Sequence, residues 1–213
     1  MSLKISELRK NYTRDGLTEK DVTDDPLVLF KQWFDEAVHS EVPEPNAMVL
    51  ATADEQRRPN ARTVLMKGIS EREIRFFTNF ESQKALEMEV NNQVACVFWW
   101  GELERQVRIR GTVTKLNTEA SEEYFKSRPR QSQIGAWASS QSSSIESRQQ
   151  LEKQFNQLEE RFEGKEIPKP DFWGGYSITI NEIEFWQGRP GRLHDRVQYQ
   201  FTNNGWTRRR LSP

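Results

Sequence analysis

The segment Arg192-Leu193-His194-Asp195-Arg196 carries two guanidiniums and an imidazole at alternate positions. On a strand, where side chains alternate between faces, Arg192, His194 and Arg196 share one side. Like charges so placed repel one another unless an anion joins them, which suits a phosphorylated ligand with an electron-rich ring. A solvated edge strand whose charges discourage association gives the same pattern. Tyr124 and Arg128, four apart, share a helix face, and Ser132 lies just past the Pro129 break. Hydroxyl, guanidinium and hydroxyl suit phosphate oxygens; the alternative is a helix C-terminus whose carbonyls attract Arg128 and Arg130. Arg62 and Lys67 flank Val64-Leu65-Met66 on one strand, and Ser82 and Lys84 open the following helix, where backbone N–H groups favour anions. Cations at element ends are more often simply solvated. Gln106, Arg108 and Arg110 alternate with Val107 and Ile109, and Trp186-Gln187 ends an apolar run, so both rows line a pocket or face water. Trp99, Trp100, Trp137, Trp173 and Trp186 supply either a platform for a planar ring or aromatic core.

Several chemistries drop out. There is no glycine-rich phosphate loop and no Gly-x-Ser-x-Gly elbow. His194 and Asp195 are adjacent, so on a strand they point to opposite faces and form no triad. Arg208 to Arg210 is too short a basic run to argue for nucleic acid. Lys plus Arg number 31 against 32 Asp plus Glu, a net charge of −1, so no whole-molecule field attracts nucleic acid or an acidic membrane and any anion site is local. Two His and the single Cys96 leave a structural zinc site almost no ligands, and one Cys makes no intrachain disulfide. No apolar run approaches the roughly 20 residues of a membrane helix, and the N-terminus lacks a secretory stretch, so a cytoplasmic location is expected.

The elements that must position these groups are mostly strands. Residues 1–24 are polar and read as a flexible arm, and Asp25-Pro26 starts a helix whose apolar stripe runs Leu27, Phe30, Phe34, Val38. Strands are expected at 48–52, 62–67, 73–78, 94–100, 105–116, 176–180, 183–187, 196–201 and 206–211, the last two across an Asn204-Gly205 turn. Helices are expected from Ser82 to about Val90, at 119–126, and from about Ile145 to Phe162. Strands in hairpin order with helices outside predict a mainly β, antiparallel barrel and one domain over 25–213.

The motifs Arg128-Pro129, Ser132-Gln133-Ile134-Gly135-Ala136, Gln141-Ser142-Ser143, Phe172-Trp173-Gly174-Gly175, Phe185-Trp186-Gln187-Gly188 and Arg192 to Arg196, in this order, resemble the pyridoxamine 5′-phosphate oxidase family from about Leu8 to the C-terminus. The resemblance implies an FMN-binding split β-barrel of Greek-key type with peripheral helices, working as a homodimer with FMN at the subunit interface. It implies oxidation of pyridoxamine or pyridoxine 5′-phosphate to pyridoxal 5′-phosphate, with O2 as acceptor and H2O2, plus ammonia from the amine, as products. By the same likeness Arg62, Thr63, Val64, Leu65, Met66, Lys67, Phe77, Thr78, Ser82, Gln83, Lys84, Gln106, Gln141, Ser142, Trp186 and Arg196 would hold FMN. Lys67, Tyr124, Arg128, Ser132, Arg192 and His194 would hold the substrate, with Arg192 and His194 nearest the chemistry and Arg9 and Tyr12 reaching it from the arm. Gln83 stands where the family usually has Arg, which implies weaker FMN binding. A flavin or pyridoxal phosphate carrier without catalysis is the alternative on the same barrel.

Overall fold

Asp25 caps the first helix, α1 (Pro26–His39), by accepting the Leu27 N–H at 2.9 Å, and Pro26 sits where a missing N–H costs nothing. The buried face of α1 is Leu29, Phe30, Trp33 and Ala37, whereas Val38 is half exposed. The stripe is therefore rotated by one residue at its C-terminal end from the expected one. In this computed structural model the described residues are Lys4, Leu8 and residues 11–213.

Nine strands follow: β1 (Ala47–Ala53), β2 (Pro59–Leu65), β3 (Gly68–Ser70), β4 (Glu73–Asn79), β5 (Gln93–Trp100), β6 (Arg105–Lys115), β7 (Trp173–Gln187), β8 (Asp195–Thr202) and β9 (Gly205–Leu211). They are joined by hydrogen bonds in the order β2-β1-β5-β6-β7-β4-β3, with β8 on β7 and β9 on β8. The helices are α2 (Gln83–Val90), α3 (Thr118–Ser127), α4 (Arg130–Ala138) and α5 (Arg148–Arg161). The result is a mainly β, curled antiparallel sheet with helices, as expected. Among the described residues no helix is long and apolar enough to cross a membrane.

Besides β2, which is shifted to Pro59–Leu65, and the added short β3, three elements differ from the sequence expectation. The two strands expected on either side of Asn181 are one 15-residue strand, because β7 changes partner along its length: Trp173–Thr179 pairs with β4 and Glu182–Gln187 with β8. Helix α4 was not expected. Pro129 ends α3, yet its carbonyl also accepts the Ser132 and Gln133 N–H groups and so starts the next helix. The β8–β9 turn lies at Asn203-Asn204, one residue early, and Gly205 opens β9 at φ +95°, a conformation that Gly adopts without a Cβ clash.

Contacts divide the chain into two compact units, and each is described by itself. One holds Leu50–Val94 and Gly111–Thr179. Its helical corner buries Phe125, Ile134, Phe162, Ile167 and Trp173. Gly174 and Gly175 lie against Phe80 and Phe77, where a Cβ would come within 2.5 Å and 2.7 Å of their rings. The other unit holds the described residues up to Val49, Ala95–Arg110 and Ile180–Pro213. Here Phe30 meets Phe98 edge-on at 5.3 Å and Trp33 meets Phe185 at 5.2 Å. Aromatic area thus does much of the packing in a chain whose apolar fraction is only 35%.

Candidate active site

In the unit of Leu50–Val94 and Gly111–Thr179, a cavity of about 640 Å³ is floored by β2 and walled by β4, the start of α2 and the end of α3. Phe77, Tyr124 and Trp173 form one wall as near-parallel rings: Phe77 lies 3.8 Å from Tyr124 and 5.6 Å from Trp173, centroid to centroid. Such a slab is a surface for a flat ring. Opposite in character are the cations. Lys84 is buried, and its Nζ donates only to the hydroxyls of Thr78 at 3.1 Å and Ser82 at 3.0 Å. Burial first, and then the Arg62 guanidinium, pull its pKa from 10.5 to about 8 against the attraction of Glu87. Arg128 stands over the faces of Trp173 at 4.6 Å and Phe125 at 5.6 Å, and its buried Nη1 has no hydrogen-bond partner. Burial lowers its pKa too.

Among the described residues neither Lys84 nor the half-buried Arg128 pairs directly with a carboxylate, although Glu87 attracts Lys84. A buried donor left unsatisfied costs roughly 1–3 kcal/mol, so the arrangement fits an anion that supplies the missing acceptors. Gln141 crosses the rim and its Oε1 accepts from Thr78 Oγ1 at 3.1 Å, while Ser142 adopts φ +72°.

In the other unit Trp186, His194 and Tyr12 cluster: Trp186 and His194 ring centroids are 4.7 Å apart, and Tyr12 packs edge-on against both at 5.5 Å. His194 Nδ1 accepts the Arg189 N–H at 3.1 Å, which leaves Nε2 to carry the proton of the neutral ring. Tyr12, Arg192 and His194 line a second cavity of about 620 Å³. A carboxylate strap holds the approach to Tyr12. Glu104 accepts the Thr13 and Arg14 N–H groups at 2.9 and 3.2 Å, and Asp195 accepts that of Leu17 at 3.1 Å. Gly188 makes room for it, since a Cβ there would lie 2.7 Å from Tyr12 Cγ.

The period-two argument for Arg192, His194 and Arg196 does not hold. β8 begins only at Asp195; Arg192 ends a 3-10 turn at φ +63° and His194 follows in irregular backbone. The crowding of like charge is also relieved without a ligand, because Arg196 Nε pairs with Glu184 at 2.9 Å. Arg108 and Arg110 pair with Glu184 and Glu182 of β7 at 3.4 and 3.9 Å, so that row faces acids. Gln106, on the same strand, lies outside both cavities, as do Trp186 and Arg196. The strand expected to run from Arg62 to Lys67 ends at Leu65.

The first cavity does gather Arg62, Thr63, Val64, Leu65, Lys67, Phe77, Thr78, Gln83, Lys84, Tyr124, Arg128, Gln141 and Ser142. Met66 is buried beneath it, Ser82 is buried and reaches it through Lys84, and Ser132 lines a smaller neighbouring hollow with Arg128. Arg9 lies outside the described residues. Sequence reasoning missed Asn60, Ala61 and Asn79 in the lining; of the five tryptophans it offered as a platform or as core, Trp173 is the one in this wall. Also missed was the carboxylate of Glu87 behind Arg62.

A curled β sheet carrying a basic cavity with an aromatic wall suits a flat, anionic ligand. Residues 34–162 match the family described as pyridoxamine 5′-phosphate oxidase, and 173–213 match the pyridoxine 5′-phosphate oxidase C-terminal dimerisation region. The pyridoxine/pyridoxamine 5′-phosphate oxidase of Rubrobacter xylanophilus is 53% identical over 98% of this chain and 96% of its own. That of Leptospira biflexa is 52% identical over 98% and 99%. Among solved structures, PhzG from Burkholderia lata, in complex with tetrahydrophenazine-1-carboxylic acid, superposes with a TM-score of 0.86 at 28% identity, covering 91% of this chain and 95% of that one. An FMN-binding protein of Nostoc punctiforme related to pyridoxamine 5′-phosphate oxidase shares the fold, with a TM-score of 0.69 at 15% identity over 86% and 97%. The chain belongs to the pyridoxamine 5′-phosphate oxidase family of enzymes.

Proposed function

We propose that this enzyme is a cytoplasmic homodimer that binds FMN and oxidises pyridoxamine and pyridoxine 5′-phosphate to pyridoxal 5′-phosphate. O2 is the acceptor, H2O2 is released, and ammonia leaves when the amine is the substrate. The observation that carries this reading is the pairing, in one cavity, of a stacked aromatic wall with an Arg128 Nη1 that is buried and lacks an acceptor. Both intended ligands are flat rings bearing a phosphate.

The cavity residues fit FMN. Arg62 and Lys84, the latter held by the Ser82 hydroxyl, would take its phosphate, with Thr63 to Lys67, Phe77, Thr78, Gln83, Gln141 and Ser142 along the rest; Gln106, Trp186 and Arg196, which lie outside this cavity, would reach the flavin across the proposed subunit interface. When bound, FMN would supply the two-electron redox chemistry between substrate and dioxygen. The protein's part is to bind and orient. Arg128, Tyr124, Ser132 and Lys67 would grip the substrate phosphate, an anchoring that places the 4′ carbon without touching it. His194, held by Trp186 and by the Arg189 N–H, presents an Nε2 donor to the pyridine ring substituents. Arg192 would polarise the same ring, and either group can assist proton removal from the 4′ substituent. The strapped segment bearing Tyr12, continuing the arm of residues 1–24, would cover the substrate; the remaining chain is read as one catalytic domain. The match of residues 173–213 to a dimerisation region supports FMN sites made at a subunit interface.

The test is a visible spectrum of the purified protein, followed by pyridoxamine 5′-phosphate added without oxygen. Bleaching of a flavin band near ~450 nm and its return on admitting air, with pyridoxal phosphate and peroxide formed, is the expected result. A yellow protein that never bleaches is a carrier, and a colourless one that takes up no FMN refutes the reading.

A further inference from the structure

Glu87 on α2 is buried and stands behind the first cavity rather than in its lining. Both of its oxygens are engaged by side chains of β1 and β2. Oε2 accepts from the Thr52 hydroxyl and from Arg62 Nη2 at 3.1 Å, and Oε1 accepts from Asn60 Nδ2 at 3.0 Å. The Thr52 hydroxyl and the Leu50 carbonyl accept in turn from Arg62 Nη1, at 2.5 and 3.2 Å. Two edges of the guanidinium are therefore fixed by β1 and α2 before any ligand arrives. These bonds outweigh the burial that opposes them and keep the Glu87 pKa below the usual carboxylate range, so the group is charged.

The same carboxylate is the counter-charge for Lys84, one helical turn earlier. The charged groups that face Lys84 are Arg62 on β2 and Glu87 on α2, beside the neutral hydroxyls of Thr78 and Ser82. Burial and Arg62 both drive the Lys84 proton off, and Glu87 alone opposes them.

We propose that Glu87 is a positioning residue for phosphate binding in this cavity: it aims the Arg62 guanidinium and lets Arg62 and Lys84 stand charged side by side. The inference rests on the cavity being the FMN phosphate site and names the buried carboxylate on which that site depends. Simple Coulomb reasoning predicts the reverse outcome, since deleting a negative charge should favour an anion. The geometry decides otherwise. Without the carboxylate, Arg62 loses an acceptor and Lys84 its only opposing charge, so two phosphate donors are impaired for one charge gained.

The full chain, freed of flavin, is titrated with FMN and separately with riboflavin, which lacks the phosphate, and flavin fluorescence is followed from pH 6 to 10. Glu87→Gln is expected to weaken FMN by ~10- to 100-fold, the scale of one or two hydrogen bonds to a charged group. Riboflavin affinity should stay unchanged. In the unmutated protein FMN affinity falls above the Lys84 pKa of about 8, and in Glu87→Gln the fall begins at lower pH. Glu87→Asp should restore part of the loss. Thr52→Val, which removes one neutral link, should weaken FMN by a few fold, and it carries the test if Glu87→Gln does not fold. Equal loss of FMN and riboflavin would mark a merely structural residue, and unchanged or tighter FMN binding would refute the proposal. Failure of the unmutated protein to bind either flavin would instead refute the cavity assignment itself.

Discussion

The two cavities hold their functional groups by opposite means. In the Leu50–Val94 and Gly111–Thr179 unit the cations sit on regular elements, β2, α2 and the end of α3, and are braced by buried partners. In the other unit Arg192 is exposed at φ +63° and His194 precedes β8, both on irregular backbone; Tyr12 is held through strap N–H groups that hang on Glu104 and Asp195. A phosphate grip must be ready before the ligand arrives, because burying unpaired charge is costly and the ligand repays it. Groups that address a reacting ring need to admit and release it, and loops and straps allow that at the cost of ordering them.

Breaking the rigid side has the largest expected effect. Arg128→Ala should lower kcat/KM for pyridoxamine 5′-phosphate by about 100-fold, mostly in KM, since a buried charge-assisted pair contributes roughly 2–3 kcal/mol. Steady-state kinetics with the unphosphorylated amine should show almost no difference between variant and parent. An equal loss with both would mean that Arg128 supports the Trp173 wall rather than the phosphate.

Lys84 offers a second test of the same side, without substrate. Its folded pKa of about 8 lies below the ordinary 10.5, so below pH 8 the folded flavin-free protein bears the cost of a buried charge. Between about pH 8 and 10.5 the unfolded chain holds more protons than the folded one, and stability rises with pH across that window relative to Lys84→Met. Denaturant titrations of both proteins should show a relative gain on the order of 2 kcal/mol. FMN binding should invert the trend, because the phosphate favours the charged amine.

Much of this was legible in the sequence, and the misses have physical causes. β1, β4, β5 and β6 follow from their β-rich runs; α2 does start after Ser82, but the Ser82 hydroxyl donates to the Asn79 carbonyl and makes no cap bond. The unbroken β7 was hidden because a change of pairing partner at Asn181 leaves no mark on composition. α4 was hidden because Pro129 reads as a stop, although a proline also opens helices. Pro190-Gly191 marked the turn that takes Arg192 out of the strand, a signal available in the sequence and outweighed there by the alternation beyond it. Glu87 in Leu86-Glu87-Met88-Glu89 reads as a solvated helix face, and only three-dimensional placement shows one acid buried and its neighbour Glu89 exposed. The roles assigned to the site residues came from motif resemblance, whereas the braced cavity is what the fold adds.

The strap can be unfastened with one methyl. Gly188→Ala places a Cβ 2.7 Å from Tyr12 Cγ and 3.1 Å from Glu104 Cβ, so either the ring or the strap must shift. KM should rise about 3- to 10-fold, a displacement costing roughly 1 kcal/mol. The amides of Thr13 and Arg14, now bound to Glu104, should exchange faster with deuterium, while those around Lys84 keep their rates. Faster exchange without any change in KM would show that the strap takes no part in substrate binding.

The smallest effect sharpens the comparison on the rigid side. Gln83 lines the first cavity at the exposed start of α2 and brings an amide where a cation would add charge. Gln83→Arg should tighten FMN about 2- to 5-fold, the range of a solvent-screened charge, and the gain should shrink as salt is raised. The same arginine sits at a helix N-terminus, where a cation is disfavoured by about 0.3–1 kcal/mol, so the flavin-free variant should melt slightly lower. Tighter FMN together with lower flavin-free stability would show the cavity trading helix stability for anion affinity. An unchanged FMN dissociation constant would place the phosphate out of reach of position 83 and leave Arg62 and Lys84 to hold it alone.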